Sequence, residues 1–287
     1  MCLVDEITDF LKEHGLLCQT ETTTDIRVLS VDICKGKVRH IIPLSLESRD
    51  IEDAAANSEK VSELISLLKE KTGAYPLVIA EDRWKSQTTT IRKRLLSHLE
   101  IFTQVYARNC EVRKIDKKTA AEFLSANHSY SDASCRYRYG LYLKRHTGHN
   151  ADTVNITSGT LVAVATFSNA RKWIKGNKTI RSYEWTRYAS LPDVRLSGGM
   201  GKLLKIFINE VNPDDIMTYA DLEWSEGKVY ETLGFTLEGI KDPVMFSICK
   251  DTWKRTAITG QGQISSDIVY FQNFGSNKYR MKLTEYQ

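Results

Sequence analysis

Apolar positions in the first third of the chain alternate between strand spacing and helix spacing. After a short amphipathic helix near the N-terminus, residues 26–33 and 38–46 are β-rich and flank Lys35-Gly36-Lys37, which predicts a hairpin. Apolar residues within 58–71 recur at i, i+3, i+4 and i+7, the spacing of one buried helix face, and Gly73 ends that pattern. A strand at 77–80 and a helix at 88–99 follow. We therefore expect residues 1–106 to form a small α/β domain with at least one parallel strand pair.

From residue 107 the pattern predicts a second domain that extends to residue 287. A glycine turn at its centre leads into a helix, a buried strand at 216–222, and a second helix that carries Tyr230 and closes at Gly234-Phe235. The other predicted elements are strands at 110–115, 137–144, 161–167, 182–191, 243–249, 268–271 and 279–283, and a helix at 117–126 capped by Asp116. Loops or turns are predicted at 146–160, 168–178 and 250–262, and the last two strands are predicted to pair across residues 274–277.

The amino-acid composition is typical of a globular protein and argues against a membrane-spanning one. The chain is 41% hydrophobic and 26% charged, as in water-soluble globular proteins, and no apolar run approaches the roughly 18 residues of a membrane span. The N-terminal residues are acidic where a signal peptide is basic, so we expect a cytoplasmic protein. Six scattered cysteines form no CxxC pair, which supports neither a zinc site nor a disulfide framework.

Charge is distributed unevenly, although the net charge is only +4. Residues 134–205 contain three acidic residues, Asp152, Glu184 and Asp193. The basic residues of the same segment are Arg136, Arg138, Lys144, Arg145, Arg171, Lys172, Lys175, Lys178, Arg181, Arg187, Arg195, Lys202 and Lys205. Such a segment suits the phosphate of a cofactor or of nucleic acid, and it is equally compatible with a solvated basic face.

One segment of the first domain resembles part of a nuclease. PLVIAEDRWKSQTTTIRKRLLSHL is similar over about 25 residues to the last strand and helix of the very-short-patch-repair and homing-endonuclease type of domain. The matching residues are Glu81, Asp82, Trp84, Arg92 and Arg94. Metal-binding carboxylates on an earlier strand would be required for activity, and Asp32 is the nearby carboxylate on such a strand. A structural or decayed nuclease-like domain is the prediction.

The order of elements in the second domain resembles the GNAT acyltransferase superfamily. Three motifs carry the resemblance: GGMGKLL, similar to the family's pyrophosphate turn; the strand IMTYADL directly after that helix; and VYETLGF, similar to a terminal signature of the family. The resemblance covers about residues 107–250. It implies an α/β (α+β) fold, with a mixed, mostly antiparallel twisted sheet flanked by helices and preceded by the small N-terminal α/β domain.

More narrowly, several motifs look like a phage-type, Mom-like branch of that superfamily, found with homing endonucleases and DNA-modification proteins. They are NHSY, YRYGLY, LVAVATFS, YEWTRYASLP, SGGMGKLLKIFI and YADLEWSEGKVYETLGF. The link to nucleic acid comes from this resemblance, and the basic segment agrees with it.

The resemblance implies a binding site for acetyl-CoA or another acyl-CoA between the strands 182–191 and 216–222. The pyrophosphate would lie on the glycine turn formed by Gly198, Gly199 and Gly201, with Lys202 and Arg195 neutralising its charge. The sequence departs from the family at Leu196, where a Gln or Arg is usual.

Four residues are candidates for the chemistry. Tyr230 would protonate the leaving thiolate, because a phenol is neutral and a donor at pH 7, or it is a packed helix–sheet tyrosine. Asp221 would orient or deprotonate an amine, or it is an ordinary surface carboxylate after a strand. His128 is a possible base or a residue favoured at a helix C-terminus. Arg187, inside an apolar strand, is expected to meet Asp221, Glu184 or an anionic ligand. Trp173, Trp185 and Trp224 would stack a base or pack in the core.

Three functions remain open. The first is an acyl-CoA-dependent N-acyltransferase acting on an amine. The second is a Mom-like protein that modifies an exocyclic amine of DNA, which would have to be flipped out of the duplex. The third is a non-enzymatic nucleic-acid-binding protein with decayed catalytic domains. The acyl donor, the acceptor and the oligomeric state are left undetermined by these patterns.

Overall fold

The computed structural model describes residues 2–33, 36–145, 156–258 and 267–285. The chain forms two compact units, each assembled from three stretches of sequence. Met1–Ile91, Ala220–Lys228 and Gly239–Asn277 form the first unit, and Arg92–Tyr219, Val229–Glu238 and Lys278–Gln287 form the second. The domain boundary predicted after residue 106 stays a prediction, because compactness alone does not show which stretch folds independently.

The elements up to residue 109 are α1 (Leu3–Glu13), β1 (Cys18–Thr23), β2 (Ile26–Ile33), β3 (Lys37–Leu44), α2 (Ile51–Thr72), β4 (Leu77–Ala80), α3 (Glu81–Ser86), α4 (Thr88–His98), β5 (Thr103–Tyr106) and a 3₁₀ turn (Ala107–Asn109). The next are β6 (Cys110–Lys114), α5 (Lys117–Asn127), β7 (Tyr137–Leu143), β8 (Leu161–Phe167), β9 (Arg171–Lys175), β10 (Lys178–Ser190), β11 (Val194–Ser197) and α6 (Gly199–Val211). The last are β12 (Asp215–Asp221), α7 (Lys228–Thr232), β13 (Thr236–Lys241), β14 (Met245–Cys249), β15 (Lys254–Ala257), β16 (Ile268–Gln272) and β17 (Ser276–Lys282).

The first unit contains a sheet in the order β1-β2-β3-β4. The predicted hairpin of β2 and β3 is confirmed, and so is the parallel pair, which β3 forms with β4. Helix α2 ends at Gly73, as predicted, with φ +67°. It begins seven residues earlier than the apolar pattern indicates, because the Asp50 side chain caps it by accepting from Asp53 N at 2.8 Å. The apolar face of α2 packs in a core that includes Val61, Leu64 and Phe271.

A second sheet of the first unit has the order β15-β14-β16. The predicted pairing of the two last strands is therefore wrong. Strand β16 pairs antiparallel with β14, whereas β17 lies between β13 and β12 in a different sheet. The glycine at residue 275 has φ +76° and turns the chain between β16 and β17. These two strands, which are neighbours in sequence, therefore pair with different strands.

The main sheet of the second unit has, among the described residues, eight strands in the order β13-β17-β12-β10-β8-β7-β6, with β9 paired to β10. Most neighbours are antiparallel, and β10 with β12 is a parallel pair. Helix α5 contacts β7, β8 and β10, and α6 contacts β6, β7 and β8. The predicted mixed, mostly antiparallel sheet flanked by helices is confirmed. Asp116 caps α5, as predicted, by accepting from Thr119 N at 2.8 Å.

Several connections differ from the prediction. Residues 171–175, predicted as loop, form β9, and residues 254–257, within a predicted turn, form β15. Strands β1, β5, β11 and β13 and helix α3 have no predicted counterpart. The rest of the predicted turn beyond residue 258 and most of the loop at 146–160 lie outside the described residues. Within the described part, no helix is long and apolar enough to cross a membrane.

Candidate functional site

The parallel pair of β10 and β12 is short. Its three rungs are Ser182 with Asp215, Tyr183 with Ile216, and Glu184 with Met217. At the next position the Thr218 hydroxyl donates to the main-chain oxygen of Trp185 at 3.1 Å, in place of a main-chain rung. From Trp185 onward β10 pairs with β8, and the two parallel strands separate over the described residues. We call this separation the β10–β12 opening.

A β-bulge in β10 lies beside the opening. The register pairs Trp185 with Phe167 and Arg187 with Thr166, so Thr186 is an extra residue on β10. A bulge of this kind reverses the side-chain alternation for every residue that follows it on the strand. The Thr186 hydroxyl is anchored to β8, 2.8 Å from the hydroxyl of Thr166.

The bulge determines which residues of β10 share a face. Trp185 and Tyr188 lie on the same face, with ring centroids 6.0 Å apart. Phe167 marks that face as the one covered by α6, because its ring stacks on Phe207 of α6 with centroids 3.8 Å apart. Arg187 therefore lies on the opposite face, which α5 covers.

Tyr230 lies on the α6 face. Its ring packs edge-on against Trp185, with centroids 6.1 Å apart, and against Phe235 at 5.7 Å. The ring of Tyr279 is 5.5 Å away on a neighbouring strand. These contacts fix the ring on three sides, so a phenol hydroxyl is held next to the β10–β12 opening.

The phenols of Tyr230 and Tyr188 are kept in the neutral form. Burial raises the pKa of Tyr230, while a hydrogen bond with Thr218 and the charge of Arg94 act in the opposite direction. Burial also raises the pKa of Tyr188, and the nearby Tyr230 raises it further. Two tyrosine hydroxyls that are protonated at neutral pH therefore lie close together and can act as proton donors.

The glycine turn lies next to these phenols. Gly198 has φ +76°, a left-handed conformation that favours glycine, and α6 begins at Gly199. A Cβ on Gly199 would lie 2.5 Å from Leu196 Cδ2 and 3.2 Å from the Tyr188 hydroxyl. The N–H groups of the first helical turn have no intrahelical acceptor and carry the positive end of the helix dipole. The Tyr188 hydroxyl therefore packs against the start of α6.

Gly201 is on the side of α6 that faces α7. A Cβ there would meet Leu233 Cδ2 at 3.3 Å, and this is the nearest atom to that position. The residue is followed by Lys202, whose ammonium donates to the main-chain oxygens of Ala107 at 2.9 Å and Cys110 at 2.6 Å. Lys202 therefore holds the turn before β6 against the start of α6.

Arg195, the other predicted phosphate ligand, lies on β11. Its guanidinium is 5.1 Å from the ring centroid of Phe102, and its main-chain oxygen accepts from the Gln104 amide at 2.9 Å. With Lys202 bound to carbonyl oxygens, the groups best placed for an anion at this turn are the main-chain N–H groups of α6.

Arg187 and His128 lie together on the α5 face. Arg187 Nε donates to the main-chain oxygen of Ser131 at 3.1 Å, in the loop that follows α5. Burial lowers the pKa of Arg187, and the charges of Glu184 and Asp132 oppose that shift. Its guanidinium also donates to the main-chain oxygen of Thr186 at 2.8 Å, and its expected binding to a carboxylate or an anionic ligand stays a prediction.

His128 is the C-cap residue of α5, and its own N–H donates to Leu124 O at 2.8 Å. Its Nδ1 accepts from Tyr130 N at 3.1 Å, which leaves Nε2 as the nitrogen that carries the proton in the neutral ring. The structure therefore separates the predicted catalytic residues. Tyr230 is on the α6 face of the sheet, whereas His128 and Arg187 are on the α5 face.

Asp221 ends β12 and belongs to the first unit. Its Oδ1 accepts from Glu223 N at 3.0 Å, and its main-chain oxygen accepts from Trp224 N and Ser225 N at 3.2 Å each. The carboxylate thus shapes the turn that follows the strand. Its role in chemistry stays a prediction.

One residue of the nuclease-like segment, Asp82, belongs to a buried ion-pair cluster in the first unit. Arg255 of β15 bonds both Asp82 and Glu223, with N–O distances of 2.5 Å each, and all three side chains are at most 7% exposed. Glu81 accepts from Leu46 N at 3.0 Å, and Asp32 is exposed on β2. Among the described residues, no group of three or more His, Cys, Asp or Glu side chains is placed to hold a metal ion.

Sequence patterns missed Tyr188 and Thr218 as site residues. Strand alternation alone places Tyr188 on the α5 face, and only the bulge at Thr186 moves it to the α6 face. Two of the three tryptophans predicted as stacking groups are in the core, because Trp185 and Trp224 are each 3% exposed. The sequence carries one signal for Tyr188. It directly follows Arg187, a charged residue in the interior of an otherwise apolar strand.

Comparisons with known proteins give low similarities. No protein-family model matches the chain, and no curated protein matches it. A Bacillus subtilis acetyltransferase solved in complex with CoA is 12% identical, with 61% of this chain and 99% of that one covered and a TM-score of 0.36. A putative acetyltransferase from Salmonella typhimurium, solved with acetyl-CoA, is 12% identical over 62% of this chain and 96% of its own, with a TM-score of 0.35.

An N-acetyltransferase from Staphylococcus aureus is 12% identical, covering 61% of this chain and 97% of its own with a TM-score of 0.32. At these identities and TM-scores the likeness by itself assigns neither a family nor an activity.

Proposed function

We propose that the second unit is an acyl-CoA-dependent N-acyltransferase, which transfers an acyl group to an amine. The observation that carries the proposal is the β10–β12 opening, with Tyr188 and Tyr230 and the glycine start of α6 on one face beside it. Such an opening gives a thioester access to main-chain groups in the middle of a sheet, where a continuous ladder would exclude it.

The start of α6 fits a pyrophosphate. Neither Gly199 nor Gly201 places a side chain over the first turn of α6, although Gly199 itself is packed against Leu196. The first-turn N–H groups supply donors without a charged side chain. This arrangement supports Gly198, Gly199 and Gly201 as residues that hold the acyl-CoA, with Lys202 in a supporting role through Ala107 and Cys110.

The acyl-CoA would supply an activated acyl thioester. The amine nitrogen would bond to the thioester carbonyl carbon as the C–S bond breaks. Tyr230 would donate its phenolic proton to the leaving thiolate, because its raised pKa keeps the phenol protonated at neutral pH. Thr218 would orient the Tyr230 hydroxyl through its side chain. We propose His128 and Arg187 as residues that bind or deprotonate the amine, in agreement with the family resemblance. For Asp221, which belongs to the first unit, the role in chemistry stays a prediction.

The proposal extends to the domain organisation and the cellular location. Most of the proposed acyltransferase unit comes from the predicted domain 107–287, and most of the accessory unit comes from the predicted domain 1–106. A cytoplasmic location is supported by the cysteines, since the five in the described part, Cys2, Cys18, Cys110, Cys135 and Cys249, are free thiols.

Two alternatives predict different results. In the Mom-like alternative the amine belongs to a nucleobase of DNA. The observation in favour of this alternative is the basic ribbon formed by β9 and the first residues of β10. In the non-enzymatic alternative both domains have lost catalysis, so the protein binds nucleic acid and no acyl-CoA.

Calorimetric titration with acetyl-CoA, and separately with CoA, tests the proposal. We expect binding within the range of about 1 μM to 1 mM that is usual for enzyme substrates. A complete absence of heat at millimolar ligand would reject acetyl-CoA as the donor and favour the non-enzymatic alternative. Release of free thiol is then measured with a panel of amines, among them polyamines, peptides and unpaired nucleobases.

Tyr230→Phe separates binding from chemistry. The variant keeps the ring that packs against Trp185 and Phe235, so we expect acetyl-CoA to bind as before while thiol release falls by about 10²–10⁴-fold. Tyr142→Phe, which also removes one phenol hydroxyl of the second unit, is the matched control and should be fully active. Full activity of Tyr230→Phe would show that this phenol is not the proton donor.

A further inference from the structure

The ribbon of β9 and β10 is a feature that the acyltransferase proposal does not use. Five rungs pair the strands from Arg171 with Ser182 to Lys175 with Lys178, and the two-residue turn Gly176-Asn177 closes them. Gly176 has φ +58°, as a tight hairpin turn of this length requires. In the described ladders, residues 178–181 of β10 pair with β9 and with no other strand. The end of the ribbon therefore extends past the main sheet.

Charge on the ribbon has one sign. Residues 168–183 include five cations and no carboxylate. Arg181 is held by Asp214 at 3.4 Å, whereas Arg171, Lys172 and Lys178 are exposed and make no ion pair with any described residue. Lys175 is exposed as well. Near the turn, Ile174 is 78% exposed, an unusual position for a β-branched apolar side chain.

The register distributes these cations over both faces. Arg171, Lys175 and Lys178 share the face of Trp173, and Lys172 shares the other face with Ile174. A membrane surface would be met by one face, which would favour cations on that face alone. In a groove, phosphates line two walls, and long cationic side chains from both strands and both faces of a ribbon can reach them. The two-sided distribution therefore fits a groove better than a flat surface.

Dimensions agree with a groove of B-form DNA. Two strands about 4.8 Å apart, with their side chains, are close to the major-groove width of about 12 Å, which is known to admit a two-stranded β-ribbon. Five rungs extend about 17 Å at 3.4 Å each, about half a helical turn of duplex.

We propose that the ribbon formed by β9 and the first residues of β10 is a DNA-binding element that enters the major groove of duplex DNA, with Arg171, Lys172, Lys175 and Lys178 on phosphates. The inference does not rest on the proposed acyltransferase activity. It assigns a duplex-binding surface to named residues, whether or not the bound DNA is also a substrate.

Fluorescence anisotropy with a labelled B-form DNA duplex of about two turns tests the proposal. For the full-length protein, four phosphate contacts predict a slope of log K on log salt of about −3 to −4. The variant with Arg171→Gln, Lys172→Gln, Lys175→Gln and Lys178→Gln is expected to bind about tenfold more weakly or worse, with a slope near zero. The affinity and the salt slope of a two-site variant, Lys172→Gln with Lys178→Gln, should lie between those of the wild type and those of the four-site variant.

The control has the same net charge change at sites away from the ribbon. Lys60→Gln, Lys117→Gln, Lys205→Gln and Lys254→Gln also take the formal charge from +4 (40 − 36) to zero, and all four lysines are exposed. This control should bind the duplex like the wild type. An equal loss in both four-site variants would mean that net charge alone drives binding, and it would overturn the proposal.

Other ligands provide further outcomes. Duplex RNA of the same sequence should bind more weakly, because the A-form major groove is too narrow for a ribbon. Single-stranded DNA binding as tightly as the duplex would overturn the groove geometry. Binding to vesicles of phosphatidylserine and phosphatidylcholine, without duplex binding, would reassign the ribbon to an anionic membrane. Melting temperatures confirm that each variant is folded.

Discussion

A Cβ placed on Gly199 would lie 2.5 Å from Cδ2 of Leu196, so these two residues pack without space between them at the start of α6. The family resemblance expects a polar residue at the position of Leu196. Here the leucine instead fixes the glycine turn by contact, and the Tyr188 hydroxyl is adjacent to the same glycine.

Gly199→Ala should therefore destabilise the protein. The added methyl group forces Leu196 to move, and overpacking of this kind costs about 1–3 kcal/mol. Gly201→Ala is the matched control, because its methyl group meets only the flexible end of Leu233 at 3.3 Å, and alanine is up to about 1 kcal/mol better than glycine in a helix. Urea unfolding measures the stability of both variants. Equal stability of the two variants would show that Leu196 adapts freely.

Gly201→Ala also reports on the cofactor. If the pyrophosphate lies on this turn, the methyl group should weaken acetyl-CoA binding although the protein is at least as stable as the wild type. Calorimetry of a folded Gly201→Ala protein with unchanged affinity would place the cofactor elsewhere.

Tyr188→Phe should change the KM for acetyl-CoA more than kcat. The phenol lies beside the first turn of α6, and loss of one hydrogen bond between neutral groups corresponds to about a 2–10-fold change. The ring contact with Trp185 is retained, so the unfolding midpoint should not move. A fall in kcat as large as that expected for Tyr230→Phe would instead make Tyr188 the proton donor.

Arg255→Leu should strongly destabilise the first unit. The substitution leaves the Asp82 and Glu223 carboxylates, each 1% exposed, without the guanidinium that bonds them both. Removing one partner of a buried ion pair typically costs about 3–5 kcal/mol. Lys12→Leu, in an exposed pair with Asp9, should change stability by less than about 1 kcal/mol. Unfolding monitored by tryptophan fluorescence compares them, and similar losses would contradict the burial argument.

Stability should fall in acid in part because of Glu238. Hydrogen bonding from Arg280, and then from Lys278, lowers the pKa of Glu238 to about 2 from its ordinary 4.5. Since the unfolded chain takes up this proton first, the stabilisation is complete above pH 4.5 and is lost as the pH falls toward 2.

Urea midpoints measured between pH 5 and pH 2.5 check this expectation. Glu238→Gln should be less stable than the wild type at pH 5, and its midpoint should depend less on pH over that interval. Glu122→Gln, in an exposed pair with Lys118, serves as the control and should keep the wild-type slope. A wild-type slope in Glu238→Gln would show that other carboxylates dominate.

The sequence by itself determined the elements whose signals are local. Helix α6 starts within GGMGKLL because glycine alone adopts the left-handed backbone of Gly198 at no cost, and α5 starts after Asp116 because a carboxylate caps the adjacent N–H groups. Strands β4 and β8 agree with their predicted bounds to the residue, since each is a continuous apolar run ended by polar residues.

Tertiary structure alone decided the strand partners and the faces. The Thr186 bulge, which no local pattern encodes, moves Tyr188 to the face of Tyr230 and leaves Arg187 and His128 on the other. Likewise β16 and β17 belong to different sheets. Residues 171–175, predicted as loop, form strand β9, because they pair with the adjacent edge of β10. Hydrogen bonding between strands depends on residues far apart in sequence, so periodicity specifies a strand but not its neighbour.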